Sequence, residues 1–396
     1  MIDYLKKLLT LVLRSTPVRI ALFLGIVLII FISVGGLQLF HPSKKPSKAP
    51  DFVSFFSDTT SLVKDEYVER INPAEKFPKA FSGLLGELDK FSTYLEPSQT
   101  EIYNLYIQNK TCTCGIYGIR LSGYFLITDV LEGSPAQKAG VEPGYIIRMI
   151  NGKSIFGLSY WQMLLSLLSV QPREIELIIC KELTDIPKEI KLRTVLPQDH
   201  SLFKPLEKDI FLLTLPRIDN EHISYLEKRF KKDIPPGKPL KLIIDLRHYD
   251  NGDLESFLRL SRLLFTHSVS LTLKKKNVNQ MLFPFSENGR KYDAVVIVDK
   301  STIMYGELLA HLFHANRQNG KMGNITLIGD KTRGFASELV QIVLEDGSSI
   351  LLTEGFFYLN EKNPAKTGVE PDIKIKSNAS STILDRCISI LKNSHG

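Results

Sequence analysis

Cysteine is scarce. There are four in 396 residues, with Cys112 and Cys114 in a C-x-C and Cys180 and Cys387 standing alone. A structural zinc site needs a second pair at ligand spacing, which the chain does not have, so the four read as small, partly buried thiols. In an oxidising compartment a disulfide stays open to them, with its pairing unreadable. Stretches that interleave basic and aromatic residues are also missing. The net charge of +7 is spread out, much of it at the N-terminus and between Lys228 and Lys241, which excludes nucleic acid as a partner. Glu307, His311 and His314 fall at i, i+4 and i+7, one face of a helix, but no HExxH-type base pattern accompanies them. They read as an exposed polar face, and neither a metal nor a cofactor is expected. What remains, 43% hydrophobic and 23% charged residues, is an ordinary globular composition, long enough for two or three domains.

The chain has one long uncharged run, IALFLGIVLIIFISVGGLQLF, the 21 residues from Ile20 to Phe40. At about 1.5 Å per residue a helix of that length covers roughly 31 Å, the thickness of a bilayer core. The expectation is a single transmembrane helix over 20–40, behind an N-terminal segment 1–19 carrying Lys6, Lys7, Arg14 and Arg19. Ser33 and Gly35 leave cleavage open. The Pro/Lys/Ser linker 41–50 then leads to a soluble part expected outside the cytoplasm, in the periplasm or its equivalent.

Beyond the linker the pattern changes twice. Phe52, Phe55, Phe56, Leu62 and Val63 recur at helical spacing, and a second such pattern runs from Ala74 to Leu88. Residues 51–110 are therefore expected to form a small helical subdomain, its second helical pattern followed by LDKFSTYLEP (Leu88–Pro97). Over 111–185 the cues are turns: Gly115 to Ile119, Gly133-Ser134-Pro135-Ala136, Ala139-Gly140, Pro143-Gly144 and Asn151-Gly152, then an apolar helix SYWQMLLSLL (Ser159–Leu168). From 186 to 396 strands alternate with helices: FLLTLP, EHISYLEKRFKKD, KLIIDLRHYDNGDLESFLRLSRLLF (Lys241–Phe265), then YDAVVIVD (Tyr292–Asp299) running into MYGELLAHLFHANRQ (Met304–Gln318). That alternation predicts an α/β core. Its last strand-to-helix junction is where such folds place a nucleophile, because amides at a helix N-terminus favour developing negative charge.

Taken in order, these stretches resemble the C-terminal processing peptidases, or tail-specific proteases. The resemblance implies a PDZ domain over 111–185, β-rich with two helices, and a tail-specific-protease core over 186–396. Val298–Glu307, VDKSTIMYGE, is similar to the family's V-N-x-G-S-A-S-A-S-E. Ile328–Ser349 is similar to G-E-x-T-F-G-K-G-x-x-Q followed by L-x-D-G, with Gly329, Thr332, Gly334, Asp346 and Gly347 in register. The DLRHYDNGDL stretch resembles D-L-R-N-N-P-G-G-x-L, and TGVEPDIKI (Thr367–Ile375) resembles G-I-x-P-D. The family's serine nucleophile falls on Met304 and its lysine base on Phe335. The glutamine that orients the lysine falls on Leu339, with Gln341 two residues on. The glycine whose amide helps to form the oxyanion hole falls on Asn251, beside Gly252. The segment between the two dyad positions is also roughly six residues longer than the usual spacing.

A thioether cannot be deprotonated to attack an amide, and a phenyl ring accepts no proton. Ser301 and Thr302, with Lys331, are weak candidates for a relocated nucleophile and base, which would need hydrogen-bond contact. The expected function is that of a membrane-anchored, PDZ-containing homologue that has lost hydrolysis and binds the C-terminal peptides of client proteins. Amides around Tyr117, Gly118 and Ile119 would receive the terminal carboxylate, with helix Ser159–Leu168 as the other groove wall. The alternative is an active serine endopeptidase cutting near protein C-termini through an altered dyad.

Overall fold

The computed structural model describes residues 3, 6, 51–197, 202–207, 209–215, 219–233, 240–249, 252–266, 269–285, 291–317, 323–375 and 380–393. The chain divides into two units, residues 1–75 and 76–396. The first contains helix α1 (Phe52–Glu66). Its Phe55, Phe56, Leu62 and Val63 follow helical spacing as expected, and all four are exposed.

The expected transmembrane helix has to be corrected. Among the described residues no helix is long and apolar enough to cross a membrane. The longest, α1, has 15 residues, or about 22 Å at 1.5 Å per residue against a bilayer core of roughly 30 Å. It also carries Asp58, Lys64, Asp65 and Glu66. Residues 20–40 themselves lie outside the described residues.

Helix α2 (Pro73–Gly86) runs across the boundary, and the second unit goes on with β1 (Thr93–Leu95) and α3 (Pro97–Tyr106). Pro97 stands at the first position of α3, where no amide is needed, and the Gln99 side chain accepts from the Glu96 amide at 3.2 Å. A six-stranded antiparallel sheet follows. Its members are β2 (Ile116–Leu121), β3 (Tyr124–Val130), β4 (Ile146–Ile150), β5 (Lys153–Ser154), β6 (Glu174–Cys180) and β7 (Lys188–Arg193). The order is β2-β3-β4-β6-β7, with β5 paired to β4, so β2 forms an edge. Helices α4 (Pro135–Lys138) and α5 (Tyr160–Ser166) are each started by a serine: Ser134 accepts from the Gln137 amide and Ser159 from the Gln162 amide, both at 3.2 Å. The chain enters and leaves this module at one place, because Thr113 bridges to Val195 and Cys112 to Ser169.

The core is a second six-stranded sheet. Strands β8 (Phe203–Pro205), β9 (Ile210–Thr214), β10 (Lys241–Asp245), β13 (Asp293–Val298), β14 (Ile325–Gly329) and β17 (Ile373–Lys374) lie in the order β17-β14-β13-β10-β9-β8, parallel from β9 to β17. The helices between them are α6 (Asn220–Asp233), α7 (Leu254–Leu264) and α8 (Met304–Arg317), and α9 (Ser380–Asn393) closes the chain. Because alternate side chains leave opposite faces of a strand, and both faces here are covered, β10 and β13 are apolar without a break between their polar first residues and last turns. Leu242, Ile244 and Val296 pack with Leu226, Phe257 and Phe313 on one side. Ile243, Val295 and Ile297 pack with Ile383, Cys387 and Leu391 on the other. A third sheet, β1-β16-β11-β12 with β15 on β16, joins distant segments: β11 (Leu271–Lys275), β12 (Asn279–Leu282), β15 (Ser337–Val343) and β16 (Ser349–Leu359). The four cysteines are free and buried.

Helix α8 presses its first turn onto the loop after β10. A Cβ at Gly306 would lie 2.5 Å from the Tyr249 carbonyl oxygen and 2.9 Å from the Tyr249 Cβ. Alanine favours a helix over glycine by about 1 kcal/mol, but overpacking against backbone costs roughly 1–3 kcal/mol or more, so the clash wins. Gly306→Ala is expected to melt several degrees below the wild type in a thermal scan, and equal or higher melting would mean that helix and loop are not in this contact.

Candidate functional site

The junction between β13 and α8 is a closed turn. The Asp299 carboxylate accepts from the amides of Ser301 (2.8 Å) and Thr302 (3.0 Å), and Thr302 Oγ1 donates to the Leu246 carbonyl at 3.1 Å. Ser301 Oγ lies 2.8 Å from Thr128 Oγ1 on β3. Both hydroxyl residues are buried. Lys331 is turned outward to Glu370 (3.5 Å) and Lys300 to Asp330 (3.0 Å). The weak relocated candidates Ser301, Thr302 and Lys331 are therefore placed on structural partners, not on one another.

Met304 begins α8 with a left-handed backbone, φ 50°, uncommon for a residue with a side chain. Its amide donates to the Phe335 carbonyl at 2.6 Å. Met304 and Phe335 are 3% and 4% exposed and belong to one apolar cluster, where Phe335 stacks on Phe91 at an interplanar angle of 15°. The two dyad positions have thus been brought together as the family pattern implies, but by a backbone bond and apolar packing. Gln341, two residues beyond the position of the orienting glutamine, donates to Asn104 at 3.0 Å. Asn251 lies outside the described residues, and Gly252 precedes Asp253, whose carboxylate caps α7 through the Ser256 amide at 2.8 Å.

Sequence reasoning missed the residue that organises this site. Glu307 is not on an exposed polar face. It is fully buried and accepts from Thr332 Oγ1, from the Gly334 amide at 2.8 Å and from the Phe335 amide. Burial raises its carboxyl above the usual range, and these three donors oppose that rise. Thr332 Oγ1 in turn accepts from the Val369 amide at 2.7 Å. The available signal was one carboxylate inside MYGELLAHLF, because an acidic group in an apolar helix must find donors. His311 and His314 share that helix and are half-buried. Burial and then the neighbouring His314 push the His311 imidazole down to about 4, with the Pro364 carbonyl opposing.

The expected peptide groove lies between β2 and α5. Ile127 spends both backbone groups on the far side of β3, its N–H on Tyr145 and its C=O on Gly144. Its partner Gly118 therefore faces the free edge of β2, and by alternation so does Arg120, while Ile119, paired with Leu126, faces inward. A Cβ at Gly118 would sit 2.3 Å from the Leu126 carbonyl oxygen, which explains glycine at that point. Tyr117 stacks on His248, ring centroids 3.7 Å apart. His248 has φ 67°, and its Nε2 lies 2.9 Å from Asp129 Oδ2. Arg247 makes two bonds to Asp245 (2.9 and 2.7 Å) and lies 4.0 Å from Asp129. Across the groove, Arg333 Nη2 donates to the Arg120 carbonyl at 3.2 Å.

Among the described residues one set of metal-type ligands converges, Asp129, His248 and Asp299, with ligand atoms within 4.8 Å of one another. Asp129 and Asp299 border a cavity of about 390 Å³ that Arg247 also lines. Arg247 already brings positive charge to Asp129, and Asp129 already bonds His248, so the cluster ties the β2–β7 module to the core.

Residues 210–375 match peptidase family S41 and residues 126–180 match a PDZ domain. The carboxy-terminal processing protease CtpA of Bacillus subtilis (strain 168) is 24% identical over 325 residues, covering 79% of this chain and 66% of that protein. A probable CtpA-like serine protease of Staphylococcus aureus (strain MRSA252) is 21% identical over 327 residues, covering 79% and 63%. The chain thus spans just under two thirds of the length of these relatives. The solved photosystem II D1 C-terminal processing protease shares the fold, with a TM-score of 0.62 at 17% identity over 85% of this chain and 91% of that one.

Two measurements check this geometry. Glu307→Gln removes the charge and one acceptor from buried donors, so a loss of roughly 3 kcal/mol is expected in a denaturant titration; a change within about 0.5 kcal/mol would remove Glu307 from its central place. For His311 the folded pKa lies below the ordinary 6.5, so the unfolded chain binds more protons between the two values. That contribution is complete above pH 6.5 and is lost as pH falls through about 4. Wild type should lose on the order of 3 kcal/mol more than His311→Gln over that window, and parallel stability–pH curves would refute it.

Proposed function

We propose that this chain, which belongs to the PDZ-bearing C-terminal processing peptidases of family S41, binds the C-termini of other proteins and does not hydrolyse them. The observation that carries the reading is the bond from the Met304 amide to the Phe335 carbonyl. An acyl-transfer site needs a nucleophile, a base and amide donors free to meet an oxyanion. Here the nucleophile position is a thioether and the base position a phenyl ring. The amide at the head of α8 is already occupied.

The β2 edge and α5 supply what peptide binding needs. Outward backbone groups at Gly118 and Arg120 offer a ladder to an extended chain, and the apolar wall of α5 borders the groove. The preferred client carries a free carboxylate and an apolar last side chain.

A fluorescent peptide of that kind is expected to bind in the micromolar range, about −8 kcal/mol, and its C-terminal amide to bind at least tenfold more weakly. Peptide and protein should stay intact on prolonged incubation. Met304→Ser with Phe335→Lys should not restore turnover, since losses from a catalytic unit reach roughly 10⁶-fold and a misplacement of an ångström costs on the order of 10²-fold. Cleavage by wild type that Ser301→Ala or Thr302→Ala abolishes would replace this reading with that of an endopeptidase using a relocated nucleophile.

A further inference from the structure

Resting on that groove reading, we propose that the Arg333 side chain, held out by the loop Arg333–Phe335, plugs the peptide groove in the unliganded protein and is displaced when a C-terminal peptide pairs with β2. Three contacts carry it. The Arg333 guanidinium donates to the Arg120 carbonyl at 3.2 Å, one of the acceptors that alternation turns to the free edge of β2. Tyr160, the first residue of α5, is among the groups whose charge bears on Arg333. Two residues on, Phe335 stacks on Phe91, and Phe91 meets the Tyr160 ring edge-on with centroids 5.6 Å apart.

The plug offers β2 what a peptide would offer. An incoming strand would donate an amide N–H to the Arg120 carbonyl, so one donor replaces another and the exchange is close to balanced. Half-buried Arg333 regains water when it leaves, which the peptide carboxylate and the buried apolar side chain must exceed. Peptide affinity is then the intrinsic affinity of the open groove reduced by the fraction of molecules in which the Arg333 side chain is out. The loop backbone is moored on both sides of Arg333, by Thr332 Oγ1 and by the Gly334 and Phe335 amides on the Glu307 carboxylate, and again by the Phe335 carbonyl on the Met304 amide. The Arg333 side chain takes no part in those bonds and can swing out without breaking them.

The test uses the full chain, wild type and Arg333→Ala, with a fluorescein-labelled peptide ending in an apolar residue with a free carboxylate and with its amidated twin. Arg333→Ala is expected to bind the free-carboxylate peptide about tenfold more tightly, the value of one exchanged charge-assisted bond. Without peptide, amide hydrogen exchange over β2 should be faster in Arg333→Ala than in wild type. If both proteins bind equally and still discriminate against the amide, the plug is wrong and the groove reading stands. If neither binds, the groove reading falls and the plug with it. Unchanged β2 exchange overturns the plug whatever the peptide does.

Discussion

A buried carboxylate with no cation bonded to it must be given hydrogen-bond donors or take up a proton, and this requirement at Glu307 shapes the site around it. The residue sits one turn into α8 and is fully buried. Its donors come from Thr332, Gly334 and Phe335, so the helix and the loop after β14 form a single piece. Thr332 passes the constraint on to Val369 in the TGVEP stretch. Leaving such donors unsatisfied costs roughly 1–3 kcal/mol each, more than any one apolar contact nearby. The loop is therefore held where a base would be needed while the side chain it presents is Phe335. The turn and the loop keep their places while the two positions they bring together carry Met304 and Phe335.

The second constraint is the contact between the β2–β7 module and the parallel sheet. Asp129 on β3 meets His248 and approaches Arg247 on the turn after β10, and the Tyr117 ring lies on the His248 ring. With side chains mostly shielded from water, such a pairing is weakly screened by salt. The strand that carries the groove is thus fixed to the turn beside Met304. Whatever displaces β2 and β3 is felt at that turn through the Asp129–His248 hydrogen bond, the approach of Arg247 to Asp129 and one stacked pair.

Much of the architecture was legible in the sequence because its signals are local. Uninterrupted apolar runs such as KLIID and DAVVIV announced buried parallel strands, and the positions of Met304 and Phe335 followed from motif register. The sheet that joins β1 to β16 and β11 was not legible, since its partners lie more than 250 residues apart in one pairing, Thr93 with Leu351, and non-local pairing leaves no periodic trace. Periodicity placed Glu307, His311 and His314 on one helix face correctly but called that face exposed. Only the packing of α8 against β14 and β15 decides that it is buried. The amides named for carboxylate binding were close in sequence, yet strand alternation assigns the free edge to Gly118 and Arg120. Arg333 carried no signal, because a lone arginine in a polar loop is ordinary.

The paired ends of the β2–β7 module bear on how the chain folds. Thr113 and Val195 are bridged, as are Cys112 and Ser169, so the long excursion between them begins and ends at one spot. For the rest of the core, closing the gap from α3 to β8 then amounts to closing a short loop once the module has formed. Loop-closure entropy grows only logarithmically with length, about 0.6 kcal/mol per doubling, so the insertion delays the core's own nucleation little if the module folds first. Translation favours that order, since the module emerges before every strand of the parallel sheet. The module is in this sense a prefabricated hinge leaf, and an ancestral core without it would have needed little change to the strands on either side.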